Sequence, residues 1–98
     1  MRIELKKFGT TLTSHQTGSE AYKALQPTLR ALGKDEVLEI DFSDVLTLSP
    51  SWGDEFLTPL LEQLGERLLL LPSDNLSVQA TAHLLEEISK KKFRVFSD

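Results

Sequence analysis

The N-terminal part of the chain shows the spacing of apolar residues expected of a strand. Arg2–Phe8 alternates apolar and charged residues, the period-two pattern of a strand with one buried face. Gly9 interrupts this pattern, and the short β-branched segment Thr10–Thr13 follows it. We therefore predict two antiparallel strands joined as an N-terminal β-hairpin.

The next segment has the three- and four-residue spacing of a helix. Its apolar stripe is predicted to consist of Ala21, Tyr22, Leu25, Leu29 and Leu32. Ser14 is the predicted N-cap, because its side-chain oxygen can accept a hydrogen bond from an amide of the first turn. Pro27 lacks an amide hydrogen and crowds the preceding turn, so we expect a kink or a break there. Gly33 should end the helix.

Two short, mostly apolar segments, Glu36–Phe42 and Arg67–Leu71, predict buried interior strands. The first is followed by Val45, Leu46 and Leu48, which we expect to return to the core. A helix should then begin at Pro50. Ser49 is its predicted N-cap, Gly65 its predicted end, and Pro59 should bend it.

A third helix follows the second buried strand, with Val78, Ala82, Leu85 and Ile88 as its predicted inner face. Phe93, Val95 and Phe96 either form a last short strand or pack the tail onto the domain. Strands that alternate with helices predict parallel pairing through crossover helices. The expected fold is a single α/β domain over residues 1–98, with a mixed four- to five-stranded sheet, three main helices and the N-terminal hairpin.

Composition limits the classes of function. The 98 residues contain no cysteine, which excludes disulfides, thiolate metal ligands and a thiol nucleophile. The net charge of −4 argues against a general nucleic-acid-binding face. The charged start of the chain does not match a signal peptide, and the longest apolar run, Leu68–Leu71, is too short to cross a bilayer. We expect a soluble cytoplasmic protein with neither nucleic acid nor membrane as its partner.

Few residues suggest catalysis or metal binding. His15 and His83 lack metal-ligand spacing, and no Gly-rich phosphate loop is present, so we expect no cofactor. Ser51, His15 and Asp54 could form a triad on paper, but no nucleophile-elbow motif supports it. The basic cluster of Lys90, Lys91 and Lys92 with Arg94 either offsets the helix dipole or forms a phosphate-binding or partner-docking tail.

The segment from Ser49 to Glu55 is the strongest candidate site. Ser49 and Ser51 lie where helix amides are unpaired and the dipole is positive, so a phosphate on Ser51 would be stabilised there. Capping by Ser49 and simple exposure of Ser51 explain the same residues without a function. Trp52 is either a core anchor or an exposed recognition residue.

These residues also carry a family resemblance. The segment resembles the STAS-like domain family, whose pattern is roughly Asp-Phe-x-x-Val, a short spacer, and Ser-x-Ser-Phe-Ala-Asp-Glu. The matching positions are Asp41, Phe42, Val45, Ser49, Ser51, Asp54 and Glu55. Trp52 replaces the usual Phe and Gly53 the usual Ala. Ser14 matches the Ser-Arg start of the family's first helix, where His15 replaces the arginine.

The family is similar in turn to STAS domains of anti-sigma factor antagonists, in which a serine of an Asp-Ser-Ser-Gly segment is phosphorylated by a partner kinase. That serine falls at Ser51, although Ser49-Pro50-Ser51-Trp52 replaces the signature. The resemblance implies a non-enzymatic regulatory module of bacteria or phage, whose partner is a kinase-like ATPase or an anti-sigma-type regulator. The partner-binding residues would be Ser14, His15, Ser49, Ser51, Trp52, Asp54 and Glu55.

Two alternatives stay open at this point. The same helix start could serve a small-ligand or nucleotide sensor. The chain could also be a structural subunit that forms a homodimer through an exposed sheet edge.

Overall fold

A computed structural model describes residues 1–96. The strands are β1 (Arg2–Glu4), β2 (Thr11–Leu12), β3 (Leu38–Asp41), β4 (Thr47–Leu48), β5 (Leu68–Leu70) and β6 (Arg94–Val95). The α-helices are α1 (His15–Ala24), α2 (Gln26–Ala31), α3 (Pro50–Leu64) and α4 (Leu76–Ser89). Short 3-10 turns occupy Leu5–Phe8 and Gly65–Arg67. The α/β class is confirmed, with three long helices and a sheet of four strands.

The main sheet has the order β1-β3-β5-β6, and every pair in it is parallel. Each crossover therefore moves to the next strand in the same direction. Because such connections are right-handed, the helices lie on one face of the sheet. Helix α3 occupies the middle of this layer and contacts both α1 and α4. The N-termini of α1, α3 and α4 consequently lie at the edge of the sheet where the strands end, whereas α2 begins where α1 ends.

The predicted N-terminal hairpin is wrong, and so is the mixed sheet. Strand β1 pairs parallel with β3, whereas β2 leaves the main sheet and pairs parallel with β4. The chain folds into a 3-10 turn at Leu5–Phe8 instead of extending, and Leu5 becomes fully buried. Gly9 then adopts φ 127° and ψ 169°, a region open essentially to glycine alone, which redirects the chain into β2.

The core lies between the sheet and the helix layer. Its fully buried members include Leu38 and Ile40 of β3, together with Trp52, Phe56, Leu57 and Leu60 of α3. Burial of Leu38 and Ile40 confirms that β3 is an interior strand. The aromatic rings of Trp52 and Phe56 stack with their centroids 4.8 Å apart.

Two apolar residues predicted to be inside are exposed. Leu46 is 70% exposed, because the backbone around it pairs with neighbouring segments while its side chain points outward. Ile88 is 62% exposed, since α4 contacts its neighbours through Val78, Thr81 and Leu85.

The break between the first two helices and the end of α3 lie where the sequence predicts them. The chain breaks between α1 and α2, with Pro27 in the first turn of α2, as predicted. Helix α3 ends at Gly65 and continues through Pro59 as one helix.

The face of the sheet opposite the helices carries charged side chains. Neighbouring strands align Arg2, Glu39, Leu69 and Arg94 in one row across this face. Arg2 Nε lies 3.6 Å from Glu39 Oε1. Leu69 is only 7% exposed although none of the helices within residues 1–96 covers this face, because long charged side chains flank it.

Candidate functional site

The short pair of β2 and β4 brings the N-termini of α1 and α3 together. Strand β2 ends three residues before α1 begins and β4 ends two residues before α3 begins, so their parallel pairing sets the two helix starts side by side. The amide of Ser49 donates to the carbonyl of Leu12 at 2.9 Å. The hydroxyl of Ser49 donates to the carbonyl of Thr13 at 2.8 Å. Ser49 therefore ties the start of α3 to the residue that precedes the cap of α1.

Both predicted N-caps are confirmed. The hydroxyl oxygen of Ser14 accepts from the amide of Thr17 at 3.1 Å, and its Oγ lies 2.8 Å from the hydroxyl of Thr17. The hydroxyl oxygen of Ser49 accepts from the amide of Trp52 at 3.3 Å. Each cap satisfies one of the amides that a helix start leaves without an intrahelical partner.

His15 and Glu55 connect the two helices at this end. His15 Nδ1 lies 3.4 Å from Glu55 Oε1, and the two side chains are 66% and 40% exposed. The pair is charged on both sides only when the histidine is protonated. Within residues 1–96, His15 pairs with Glu55 and makes no hydrogen bond or ion pair with Ser51 or Asp54, so the triad considered from the sequence does not assemble.

Ser51 lies in the first turn of α3 and is half-buried, while Asp54 beyond it is exposed. Pro50 has no amide hydrogen, the amide of Trp52 is capped by Ser49, and the amide of Gly53 donates to the carbonyl of Ser49 at 3.0 Å. The amide of Ser51 makes no hydrogen bond in the described part of the chain, so it is the donor that an anion at this turn would meet first.

Trp52 is a core residue in this structure. Its side chain has no exposed surface and packs against Phe56 and against Phe8, whose ring centroid lies 6.3 Å away. Of the two roles left open by the sequence, the structure selects the core anchor, and the indole does not reach the surface where a partner would dock. The indole N–H has no acceptor among the described residues.

Two glycines set the spacing of the helices at the site. A Cβ on Gly18 would lie 2.6 Å from the carbonyl oxygen of Trp52, so α1 and α3 touch backbone to backbone at this point. A Cβ on Gly53 would lie 2.9 Å from Cγ2 of Thr81 in α4. The sequence did not indicate either contact, because a close approach between helices depends on how they cross.

Asn75 fixes the third helix start at the same edge, and no sequence pattern singled it out. Its Oδ1 accepts from the amides of Ser77 and Val78, which makes Asn75 the N-cap of α4. Its Nδ2 donates to the carbonyls of Val45 and Leu46 at 2.9 and 3.0 Å. A single side chain therefore caps α4 and holds the segment that leads into β4.

An open crevice of about 640 Å³ lies beside Asn75, where β3 and β5 end. Two loops form its walls, and their polar side chains are Ser43, Asp44, Ser73 and Asp74. Lys6 Nζ donates to Asp44 at 3.2 Å, and this hydrogen bond, together with one to Glu4, raises the pKa of Lys6. The crevice adjoins α4, whereas the sequence had suggested ligand binding at the start of α3.

The other candidate residues lie apart from this edge. His83 has an 80% exposed side chain, and its Nδ1 is 3.8 Å from Glu86 Oε1. Lys90 is the left-handed C-cap of α4, so the basic cluster is at the end of a helix. Among residues 1–96, no group of three acidic or histidine side chains is arranged to hold a metal ion.

Comparisons of the chain with protein-family models, with curated proteins and with solved structures give no match. The helices within residues 1–96 are all too short or too polar to cross a membrane. The site is therefore interpreted from its own geometry and from the motif described above.

Proposed function

We propose that this protein is a non-enzymatic protein-interaction and regulatory module of the STAS-like type. Its docking surface is the paired helix starts, formed by Ser14 and His15 of one and by Ser49, Ser51, Asp54 and Glu55 of the other, above the buried Trp52. The observation that supports this most is the tie between Ser49 and the carbonyl of Thr13, which holds the two segments of the motif as one surface. A preorganised surface of this kind loses little conformational entropy when a partner binds.

Ser51 is the residue through which the surface would be regulated. A phosphate there would accept a hydrogen bond from the free amide of Ser51 and would benefit from the helix dipole. It would also add about −1.5 to −2 charges beside Asp54 and Glu55. We expect this added charge to weaken the docking of an acidic or apolar partner. The motif resemblance points to a kinase-like ATPase or an anti-sigma-type regulator as that partner.

The test compares partner recovery by tagged wild-type protein and by Ser51→Ala and Ser51→Asp variants, each checked for folding by circular dichroism. Ser51→Ala should retain the partner and Ser51→Asp should lose most of it. Gln63→Glu is the matched control, because it adds one negative charge near the far end of α3, about 18 Å away along the helix. Equal recovery by both Ser51 variants would remove the regulatory role of this residue.

A direct measurement of modification completes the test. Protein isolated from its source cells should carry phosphate on Ser51 in peptide mass spectra. A variant of the docking surface tests docking separately from phosphorylation. The double variant His15→Ala, Glu55→Lys should abolish partner recovery even when Ser51 is unmodified. If this double variant captures the partner as well as the wild type does, docking takes place elsewhere.

The crevice favours one alternative, a small-ligand sensor. Its carboxylates Asp44 and Asp74 would repel the phosphates of a nucleotide, so the suitable ligand is neutral or cationic. A ligand that binds only the folded state must raise the melting temperature in a saturable way. Thermal scans with polyamines, sugars and nucleotides distinguish this function from partner docking.

A further inference from the structure

Helix α4 carries a second apolar stripe outside the core. Leu76, Ala80, Leu84 and Ile88 follow each other at four-residue intervals, so they lie along one side of the helix. Leu76 is 77%, Leu84 39% and Ile88 62% exposed, and Ala80 is exposed as well. The stripe lies about 110° around the helix from the buried face, so packing against α3 and the sheet leaves it uncovered.

The N-terminal end of the stripe continues into another exposed leucine. Leu46 is 70% exposed, and its carbonyl accepts from Nδ2 of Asn75, the residue directly before Leu76. Asn75 therefore holds two exposed leucines at one end of α4. Scattered single leucines are ordinary on a protein surface, but a continuous row of this length marks an interaction surface.

The charges at the two ends of the stripe are opposite. Asp74 precedes the helix and is exposed, while Lys90 and Lys91 follow it and are exposed as well. A second copy of α4 placed antiparallel would put each Asp74 beside Lys90 and Lys91 of the other copy. A parallel copy would place like charges together at both ends, which is unfavourable.

The apolar side chains also complement each other in the antiparallel arrangement. A twofold axis near residue 82 pairs Leu76 with Ile88, and the small Ala80 with the larger Leu84. Glu87 then faces Ser77 of the other copy, so no like charges meet along the stripe. The helix dipoles also oppose each other, which is favourable.

We propose that the α4 stripe is the interface of a homodimer in which two copies pair antiparallel about a twofold axis. The occupant of the stripe is thus a second copy of this chain, and the surface is separate from the paired helix starts. The stripe is only about 18 Å long, and a standard interface buries roughly 800 Å² on each partner. We therefore expect a reversible dimer that dissociates in the micromolar to millimolar range.

Sedimentation velocity of the full chain from about 20 µM to 1 mM tests the proposal. The mass of the wild type should rise from 11.0 kDa toward twice that value. Leu84→Glu should remain a folded monomer throughout. Val95→Glu is the matched control, because Val95 is an exposed apolar residue, 54% accessible, on the edge strand β6. It should dimerise like the wild type.

A charge-swap experiment tests the antiparallel geometry. Asp74→Lys alone and the Lys90→Glu, Lys91→Glu double variant should each raise the dissociation constant at least tenfold. Mixing the two variants should restore dimers, because opposite charges then meet at both ends. A wild type that stays monomeric at 1 mM overturns the proposal. The proposal is also overturned if Val95→Glu is monomeric while Leu84→Glu still dimerises. That result would place the dimer interface at the edge of the sheet.

Discussion

The contact between α1 and α3 at Gly18 allows a sharp test of the packing at the site. In an ordinary helix, replacing glycine with alanine stabilises a protein by about 1 kcal/mol. Here the added Cβ would lie 2.6 Å from the carbonyl oxygen of Trp52, whereas an unstrained contact needs about 3.5 Å. The helices would have to separate by roughly 1 Å, and overpacking of this kind costs about 1–3 kcal/mol. Because the atom met is a backbone oxygen that cannot move aside, the cost should fall in the upper part of this range, about 2–3 kcal/mol, and Gly18→Ala should lower the free energy of unfolding by about 1–2 kcal/mol after the propensity gain.

Urea denaturation followed by tryptophan fluorescence measures this change. Gly33→Ala is the matched control, because a Cβ on Gly33 would lie 3.5 Å from the nearest atoms of Glu36, an ordinary contact. The stability of this variant should stay within about 0.5 kcal/mol of the wild type. Gly53→Ala should fall between the two, since the atoms it would meet belong to side chains that can shift. A Gly18→Ala protein as stable as the wild type, or more stable, would show that helix propensity outweighs the contact and would refute the reasoning.

Three further changes test other parts of the site. Asn75→Asp preserves the cap but loses two donors, so we expect denaturation to show a loss of about 2 kcal/mol, and an unchanged midpoint would contradict the role of Nδ2. Trp52→Phe removes an unpaired N–H and should stay within about 1 kcal/mol of the wild type, whereas Trp52→Ala should cost about 3–5 kcal/mol. Hydrogen bonds from the hydroxyl and amide of Ser43 lower the pKa of Asp41, so this carboxylate stabilises the fold above its usual pKa of 3.8, and the contribution disappears as the pH falls through the lowered value. NMR titration should therefore show a higher pKa of Asp41 in Ser43→Ala, and an unchanged pKa would exclude the hydroxyl as a cause.

The parts of the fold that follow from local physical chemistry could be predicted from the sequence. Ser14 and Ser49 cap helices because a serine before a helical stripe has nearby amides to accept from. Pro27 separates α1 from α2 because its ring has no amide hydrogen to donate. The interior position of β3 followed from its short apolar run. Each of these depends on residues within a few positions along the chain.

The incorrect predictions concern choices between partners distant in sequence. Nothing within Arg2–Thr13 indicates that β1 and β2 would pair with two different strands more than 30 residues away. The pattern of apolar residues in a helix also does not predict how many of them the neighbouring elements will bury. Ile88 has the spacing of the inner face of α4, but the buried side of that helix is narrower than its apolar side.

The sequence by itself determined an α/β domain, the helix starts with their serine caps, and the Ser49–Glu55 segment as the candidate site. The tertiary structure alone decided that β2 and β4 pair, and thereby that Ser49 reaches Thr13 and His15 reaches Glu55. It also buried Trp52, placed Gly18 against the backbone of α3, and left a stripe of α4 exposed. The physical reason is that caps and apolar periodicity act over a few residues, whereas strand pairing and burial depend on which distant segments meet in the folded chain.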